Sequence, residues 1–503
     1  MDGVAELPVS ATPERRSKRL SLHLSDPRPW NDDSGGEGED DLILGSLADV
    51  SVDEDEEENV PEASSWRYLW DARRVALTPA RRTWSAESSV ERPVDRPVRH
   101  DDLDVLAEAL PVPPELSWCS PDSASEALPF LQRVLDEILL DHYVEDAECA
   151  HRVKCSLAAL EWSLLGPNAV PEDLILGLRD ASGAIVAFIT ATPMSLFIDG
   201  SETRVALIDY VCVHRAWRSQ RLCPLLYQEV QRRCRARGIQ VHIKTTGQDL
   251  PGAIASSQFF HFLMPHALQK LMVVGFTYVP VQGPRNWEHV VQNHPQNRSP
   301  EESGVTLVPL TVELLESARK LHQDHSMRLF PRLARVYDSV AFAHDLLPRD
   351  GVVTTLVRVE GGEVTDLISF SHLETVHQHA TTEDGWEQGA WSGMEKLEFR
   401  SVLTGEIRSE RPQGELVLRS IRAAHLVYNV AETVPRQELI SAALSHLEAS
   451  GIDVVSALDI MGLWKESLVT AGFGVGTGLL RYYICGLQFS DIEPEEIAIK
   501  PGV

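Results

Sequence analysis

Two arginines set three residues apart, Arg218 and Arg221, stand between an apolar run and a helical pattern. The run Val205-Ala206-Leu207-Ile208-Asp209-Tyr210-Val211-Cys212-Val213 is rich in β-branched and aromatic residues and reads as a buried strand. A basic knot follows: His214, Arg215 and then Arg218-Ser219-Gln220-Arg221. Beyond it Leu222, Leu225, Leu226, Val230 and Cys234 recur at helical spacing, with Pro224 tolerated in the first turn. Strand, cationic turn and helix start together can hold phosphate. The helix start offers unpaired N–H groups and a positive dipole end, and arginine adds forked donors. Taken alone the pattern is also satisfied by a solvated basic helix start.

The rest of the chain narrows the chemistry. At 503 residues it has room for two or three domains, and its 43% hydrophobic content supports a sizeable core. A net charge of -29 argues against nucleic acid as a substrate, which would need a basic face. Much of that charge is local: residues 31–60 hold many Asp and Glu and no Lys or Arg, a composition expected to be disordered. The cluster Arg15-Arg16-Ser17-Lys18-Arg19 permits a nuclear address, a basic arm for ribosomes or anionic surfaces, or a plain solvated tail. No run approaches the ~20 apolar residues of a membrane span, and no apolar signal core opens the chain, so a cytoplasmic protein is expected. Seven scattered cysteines without paired spacing fit reduced thiols. His372, His377 and His379 lack a completing carboxylate or cysteine, so they are expected on a surface loop and no metal is expected.

The elements that must position the turn follow from periodicity. Residues 1–60 read as a disordered acidic tail and 61–115 as a wrapping arm with aromatics at Trp66, Tyr68 and Trp70. A first half, 116–281, offers helices at 125–143 and 156–165, and strands at 174–178 and 185–191. It continues with the strand described above, its helix, a strand at 241–245 and a short helix near 256–263. A polar linker is expected at 282–304. The second half, 305–503, offers a helix near 311–322 and a strand pair at 354–359 and 364–371 joined by Gly361-Gly362. A strand at 425–430, a helix at 436–449 and strands at 453–458 and 478–485 complete it, with an insert at 381–414 expected as a surface loop. The order repeats, which predicts an α/β (α+β) fold of two related halves.

A strand followed by Arg-x-x-Arg-x-Cys and a helix stands where acetyltransferase-type enzymes place Gln/Arg-x-x-Gly-x-Gly/Ala, whose amides cradle the CoA pyrophosphate; Arg221 fills a slot usually held by glycine. Further segments, in order, are His142-Tyr143-Val144-Glu145-Asp146, Asp209 to His214, Thr245-Thr246-Gly247 with Leu250-Pro251, and Phe259-Phe260-His261. They continue with Glu363-Val364-Thr365-Asp366 through Phe370, Tyr428-Asn429-Val430, Ala457-Leu458-Asp459-Ile460-Met461, and Phe473-Gly474-Val475-Gly476 through Tyr482-Tyr483. By these motifs the chain resembles the myristoyl-CoA:protein N-myristoyltransferase family, as a divergent member. The tail to residue 60 and the insert lie outside the resemblance. It implies two tandem acetyltransferase-like (GNAT-type) halves forming one pseudo-symmetric, saddle-shaped sheet. It also implies transfer of a C14 acyl group from myristoyl-CoA, the co-substrate, to the N-terminal glycine amine of protein or peptide partners.

The resemblance also implies roles. Cofactor contacts fall on Tyr68, Leu69, Trp70, Tyr143, Val144, Tyr210, Val211, Cys212, Val213, Arg218, Ser219, Arg221, Leu222 and Cys223. The amides of Tyr210 and Val211 would form the oxyanion site. The base would be the C-terminal carboxylate of Val503, with the Thr245 hydroxyl holding the same amine. Glu145, Asp146, His261, Thr375 and Tyr428 match peptide-binding positions. Departures are Asp209 where the family has Asn, Gln220 for a lysine, Thr477 for an acid, and His151 and Val153 for aromatics. CoA binding is therefore expected to be better preserved than peptide recognition. Two rivals stay open: a diverged acyltransferase with another chain length or a lysine acceptor, and an acyl-CoA-binding scaffold without turnover.

Overall fold

The computed structural model describes residues 108–144, 151–277, 279, 286–377, 380–383, 386–389, 398–403, 407–409 and 413–502. The tail 1–60, the arm through residue 107 with Tyr68, Leu69 and Trp70, and also Glu145, Asp146 and Val503, lie outside the described residues.

The chain enters through β1 (Leu116–Cys119) and α1 (Ala127–Val134), which runs on through a π turn, Leu135–Leu139, to Leu140–His142. Next come β2 (His151–Lys154), α2 (Leu157–Leu164), β3 (Ile175–Asp180), β4 (Ile185–Ile198) and β5 (Ser201–Val213). Helix α3 (Leu222–Ala236), β6 (Val241–Thr246) and β7 (Ala255–Leu263) complete the first part. The second part holds β8 (Val308–Pro309), α4 (Leu315–Leu329), β9 (Leu333–Val336), α5 (Ser339–Leu346), β10 (Val353–Glu360) and β11 (Glu363–His377). Strands β12 (Trp386–Gly389), β13 (Glu398–Ser401) and β14 (Ile407–Arg408) precede β15 (Ser420–Ala431), α6 (Arg436–Ala449), β16 (Val454–Leu458), β17 (Gly474–Cys485) and β18 (Ile497–Ala498).

One 15-stranded sheet has the main path β1-β3-β4-β5-β6-β17-β7-β16-β15-β11-β10-β8, with β2 joined to β11, β9 to β4 and β18 to β9 beside it. The order is a palindrome: an antiparallel run ends in a parallel pair, β5 with β6 on one side and β15 with β16 on the other. At the centre the last strand of each part crosses over, so that β17 pairs with β6 and β7 with β16. Mixed α/β architecture on one large open sheet is thus observed. The tight hairpin between β10 and β11 turns on Gly361 (φ 59) and Gly362 (φ 89), the double left-handed geometry that suits the twist of the flanking strands.

Four expectations change. Residues 256–263 are the central strand β7, not a helix, because the aromatic-rich segment is flanked by β16 and β17 and buried on both sides, which blurs strand alternation. The polar linker contains a helix, Trp287–Gln292, capped by Asn286 Oδ1 accepting from the His289 amide. The insert is not a plain loop, since β12, β13 and β14 form their own antiparallel sheet. His372 and His377 lie within β11 rather than on a surface loop, and His377 is buried.

Each helix that follows a parallel-pair strand covers the sheet. On α3 the residues Leu222, Leu226, Val230 and Cys234 pack on Leu176, Ile189 and Ile208 of β3 to β5. On α6 the residues Leu439, Ala443 and Leu447 pack with Leu426, Val455 and Phe260. A fully buried Leu or Val contributes roughly 1.5–3 kcal/mol, so these stripes fix both helices and the turns that precede them.

Glu229 on α3 is 0% exposed and accepts from Arg232 Nη2 at 2.7 Å, Arg233 Nε at 2.8 Å and the Leu110 amide at 3.0 Å. Burial alone would raise its pKa, but these donors outweigh it and hold the carboxyl below the usual range. Glu229→Ala is expected to destabilise the fold by about 3 kcal/mol at pH 7, because it leaves buried guanidinium groups uncompensated. The contribution is fully present above the ordinary glutamate pKa of about 4.3 and is lost as pH falls through the lower folded value. Denaturant titrations should therefore show the gap between variant and wild type closing as pH drops through that window.

Candidate active site

β5 carries the centre of the site. Its ladder with β4 is continuous from Ile198↔Ser201 to Thr190↔Asp209 and resumes at Phe188↔Cys212. Tyr210 and Val211 therefore stand opposite the single residue Ile189, which is a bulge. Tyr210 is left-handed, with φ 53. A non-glycine residue there costs on the order of 1–3 kcal/mol, and the surroundings must hold it. The ring is 2% exposed and stacks 5.5 Å from Tyr143. Its hydroxyl lies 2.9 Å from Ser163 Oγ, so the buried phenol is satisfied. The backbone amide has left the ladder and donates to Asp209 Oδ1 at 2.8 Å.

The neighbouring parallel strand opens a gap at the same level. β6 pairs with β5 only from Val205↔Val241 to Ile208↔Lys244, after which Asp209 and Thr245 leave the ladder. The end of the chain enters there. β18 pairs with β9, the Met461 amide donates to the Ile497 carbonyl at 3.0 Å, and Ile497, Ala498 and Ile499 are buried. Pro501 is buried, and the Gly502 amide donates to Thr245 Oγ1 at 3.0 Å. A β-carbon on Gly502 would lie 2.9 Å from Asp209 Oδ2 and 3.1 Å from Thr245 Oγ1, so glycine fits where a larger residue crowds both. The C-terminal segment therefore packs into the molecule as far as Gly502.

Lys500 adds a cation. Its Nζ sits 3.5 Å from the Trp162 ring centroid. Burial pushes its amine down to about 8, with Asp345 and Asp209 pulling it up and Arg335 lowering it further.

The basic turn lies at the far end of β5. Ser219 (φ 66) and Arg221 (φ 58) are both left-handed, and Arg221 is the residue before α3. Alternating handedness before a helix start aims successive amides at one point, an anion-binding concavity. The glycine slot that Arg221 fills is thus a left-handed position, which explains why glycine suits it. Arg218 also braces the turn. Its Nε donates to the Val213 carbonyl at 3.1 Å and its Nη2 to the His142 carbonyl at 3.1 Å, clamping the turn to the end of β5. Leu222 buries its side chain in the core while Ser219, Arg221 and Cys223 remain exposed. Cys212 is buried beside Tyr210, and Val213 ends the strand.

The peptide-side residues divide. Tyr428 lies 2.9 Å from the Tyr337 hydroxyl, which donates to Asp345 Oδ2 at 3.0 Å. Burial pushes the Tyr428 phenol up to about 12, and a hydrogen bond with the Lys500 backbone ties it to the C-terminal segment. His261 Nδ1 is 2.9 Å from Ser456 Oγ, and burial lowers its pKa to about 4, so it is neutral at pH 7. Thr375 is 5% exposed in the ladder between Val153 and Ile421. Its neighbour Val153 donates its amide to the Val144 carbonyl at 3.3 Å. Tyr143 and Tyr210 share one core cluster with Val153, the ladder partner of Thr375, while Thr245 and Tyr428 meet the C-terminal segment. Sequence reasoning missed Ser163, Trp162, Asp345 and the buried placement of Lys500. No motif marks these residues, since each acts through a contact distant in sequence.

The family description "Myristoyl-CoA:protein N-myristoyltransferase, N-terminal domain" matches residues 95–257. The chain is 28% identical over 367 residues to a glycylpeptide N-tetradecanoyltransferase of Drosophila melanogaster, covering 72% of this chain and 68% of the relative. It is 26% identical over 396 residues to the Plasmodium falciparum protein of that name, covering 79% and 85%. Among solved structures it is similar to the N-myristoyltransferase of Saccharomyces cerevisiae with bound myristoyl-CoA, with a TM-score of 0.65 at 22% identity, covering 86% of this chain and 95% of that one.

Proposed function

The chain belongs to the myristoyl-CoA:protein N-myristoyltransferase family and is an acyltransferase, and on that premise we propose that it moves a C14 acyl group from myristoyl-CoA to N-terminal glycine amines. Relatives bear the name glycylpeptide N-tetradecanoyltransferase, and the similar yeast structure holds myristoyl-CoA. The observation that carries the reading is the meeting of three parts at one point: the Tyr210 bulge, the Thr245 hydroxyl and the C-terminal segment.

Each part answers a chemical need. The exposed turn at Ser219 and Arg221, with the amides of Leu222 and Cys223, holds the CoA pyrophosphate, and Arg218 keeps that turn against β5. Tyr143 and Val144 border the acyl-CoA channel, together with Cys212 and Val213. The amides of Tyr210 and Val211 receive the thioester oxygen as it gains charge, a contribution typically worth 10²–10³ in rate per donor. Thr245 and the terminal carboxylate of Val503 hold the glycine nitrogen, and the carboxylate removes its proton. An α-amine titrates near 7.7–8.0, within reach of such a partner. Attack is direct, and no cysteine acts as nucleophile: burial raises the thiol pKa of Cys155 and of Cys234 to about 12. Tyr428 and His261, neutral and fixed by their partners, line the peptide side. Among the described residues no helix is long and apolar enough to cross a membrane.

The test is acyl transfer from myristoyl-CoA to peptides that present a free N-terminal glycine, an N-acetylated glycine, or only a lysine amine. The proposal expects transfer to the first alone. Transfer to lysine alone would favour a diverged acyltransferase, and acyl-CoA binding with no turnover on any peptide would favour a scaffold.

A further inference from the structure

Asp209 places a carboxylate where the acyl carbonyl and the acceptor amine must meet. Its Oδ1 accepts the Tyr210 amide at 2.8 Å, occupying a donor that the oxyanion needs. Its Oδ2 faces the C-terminal segment, 2.9 Å from the position of a β-carbon on Gly502 and on the same side as Thr245 Oγ1, which is 3.1 Å from that point. Capping alone does not account for an acid here. An asparagine oxygen would accept the Tyr210 amide equally well, so the negative charge has another use. The charge is also a liability as it stands. An oxyanion forming a few ångströms from a fixed carboxylate is strongly repelled in a partly dry site. The repulsion disappears if Asp209 has taken up a proton before the oxyanion forms. The proton nearest to hand is that of the acceptor ammonium.

We propose that Asp209 is a second proton acceptor for the incoming α-ammonium, working beside the chain terminus, and that it is neutral when the tetrahedral intermediate forms. The inference rests on the glycine N-acylation proposed above. An ammonium N–H bond breaks and its proton passes to Oδ2. The freed lone pair then forms the N–C bond, and the carbonyl π pair moves onto oxygen at the bulge, where the charged oxygen is a stronger acceptor for the Tyr210 amide than the now neutral carboxyl. Collapse expels the CoA thiolate, which takes the remaining excess proton of the nitrogen and leaves as free thiol. Asp209 then returns its proton to solvent.

The surroundings suit a group that must begin ionised. Among the described residues, Lys244 on β6 and Lys500 on the C-terminal segment are cations whose charge reaches Asp209. The other titratable groups that feel it are Tyr143, Tyr210, Tyr227 and Cys155, all pushed upward by burial and therefore neutral at pH 7.

Asp209→Asn in the full chain separates this role from a structural one, because the cap on Tyr210 is kept and only the charge is lost. Single-turnover transfer from preloaded myristoyl-CoA to a glycine peptide should fall at least about tenfold at neutral pH, with a displaced acidic limb in the rate profile. Myristoyl-CoA affinity should stay within about twofold, which shows that the site is intact. Asp209→Glu, which restores the charge, should recover the wild-type acidic limb. A wild-type rate and profile in Asp209→Asn would overturn the proposal. The two possible failures are distinct: the parent proposal fails already in the wild type, and this one only in the variant.

Discussion

Deleting Pro501, Gly502 and Val503 is expected to slow acylation of a glycine peptide by about 100-fold or more, within the usual span of general-base effects. The expectation follows from where the segment sits. The Gly502 amide donates to Thr245 Oγ1 at 3.0 Å, and the residue is flanked by Asp209. On the proposed mechanism the deletion takes the terminal carboxylate away from the amine, and it frees the Thr245 hydroxyl from its backbone partner. Upstream anchors remain, since Ile497 and Ala498 stay paired to β9 and Met461 stays bonded to Ile497. The CoA turn begins beyond Val213, four residues after Asp209, and is clamped separately by Arg218. Acyl-CoA affinity should therefore hold within about threefold while the chemical step collapses. Undiminished single-turnover transfer by the truncated chain would show that the terminus is only a packing element.

Gly486→Ala is expected to cost about 3 kcal/mol of stability, combining a strained backbone position with a clash that cannot relax cheaply. Gly486 has φ +88, and a β-carbon there would lie 2.1 Å from the Gln240 carbonyl oxygen and 3.0 Å from its carbon. Both sides of the contact are backbone, so no side chain can swing away. Gln240 leads directly into β6, which pairs with β17 from His242↔Cys485 to Thr246↔Arg481. Pushing the two apart disturbs the ladder that holds Thr245 and releases the chain where it departs for the site. A lower thermal midpoint should appear together with weaker glycine acylation. An unshifted midpoint would mean that the β6–β17 junction is softer than its geometry indicates.

The parts of the site legible from sequence are those made by neighbours along the chain. The apolar run, the basic turn and the helical leucines of α3 lie within about thirty residues, and local periodicity suffices to find them. The α6 helix at Arg436–Ala449 was legible for the same reason. The exchange of β7 and β17 was not, because it pairs strands about two hundred residues apart, and Phe259, Phe260 and Phe262 crowd both faces of β7. The bulge at Tyr210 was legible only through the resemblance, since nothing in a run of buried residues marks a left-handed tyrosine. The contacts of Arg218 with the Val213 and His142 carbonyls were not legible, because residue type does not show which backbone a guanidinium will meet. The tail was the hardest segment. Nothing local in Lys500-Pro501-Gly502 marks burial; it comes from the Lys500 contact with Trp162 and the Gly502 bond to Thr245, after Ile497 and Ala498 are anchored on β9.

The most direct measurement of the central claim is a single-turnover reaction of the intact chain, loaded with myristoyl-CoA and mixed with a peptide bearing an N-terminal glycine and an internal lysine. Fragment mass spectrometry then locates the acyl group. The account predicts one C14 acyl amide on the glycine α-nitrogen, with free CoA released in equal amount. An acyl group found on the lysine or on the enzyme, or still held as myristoyl-CoA, would contradict it.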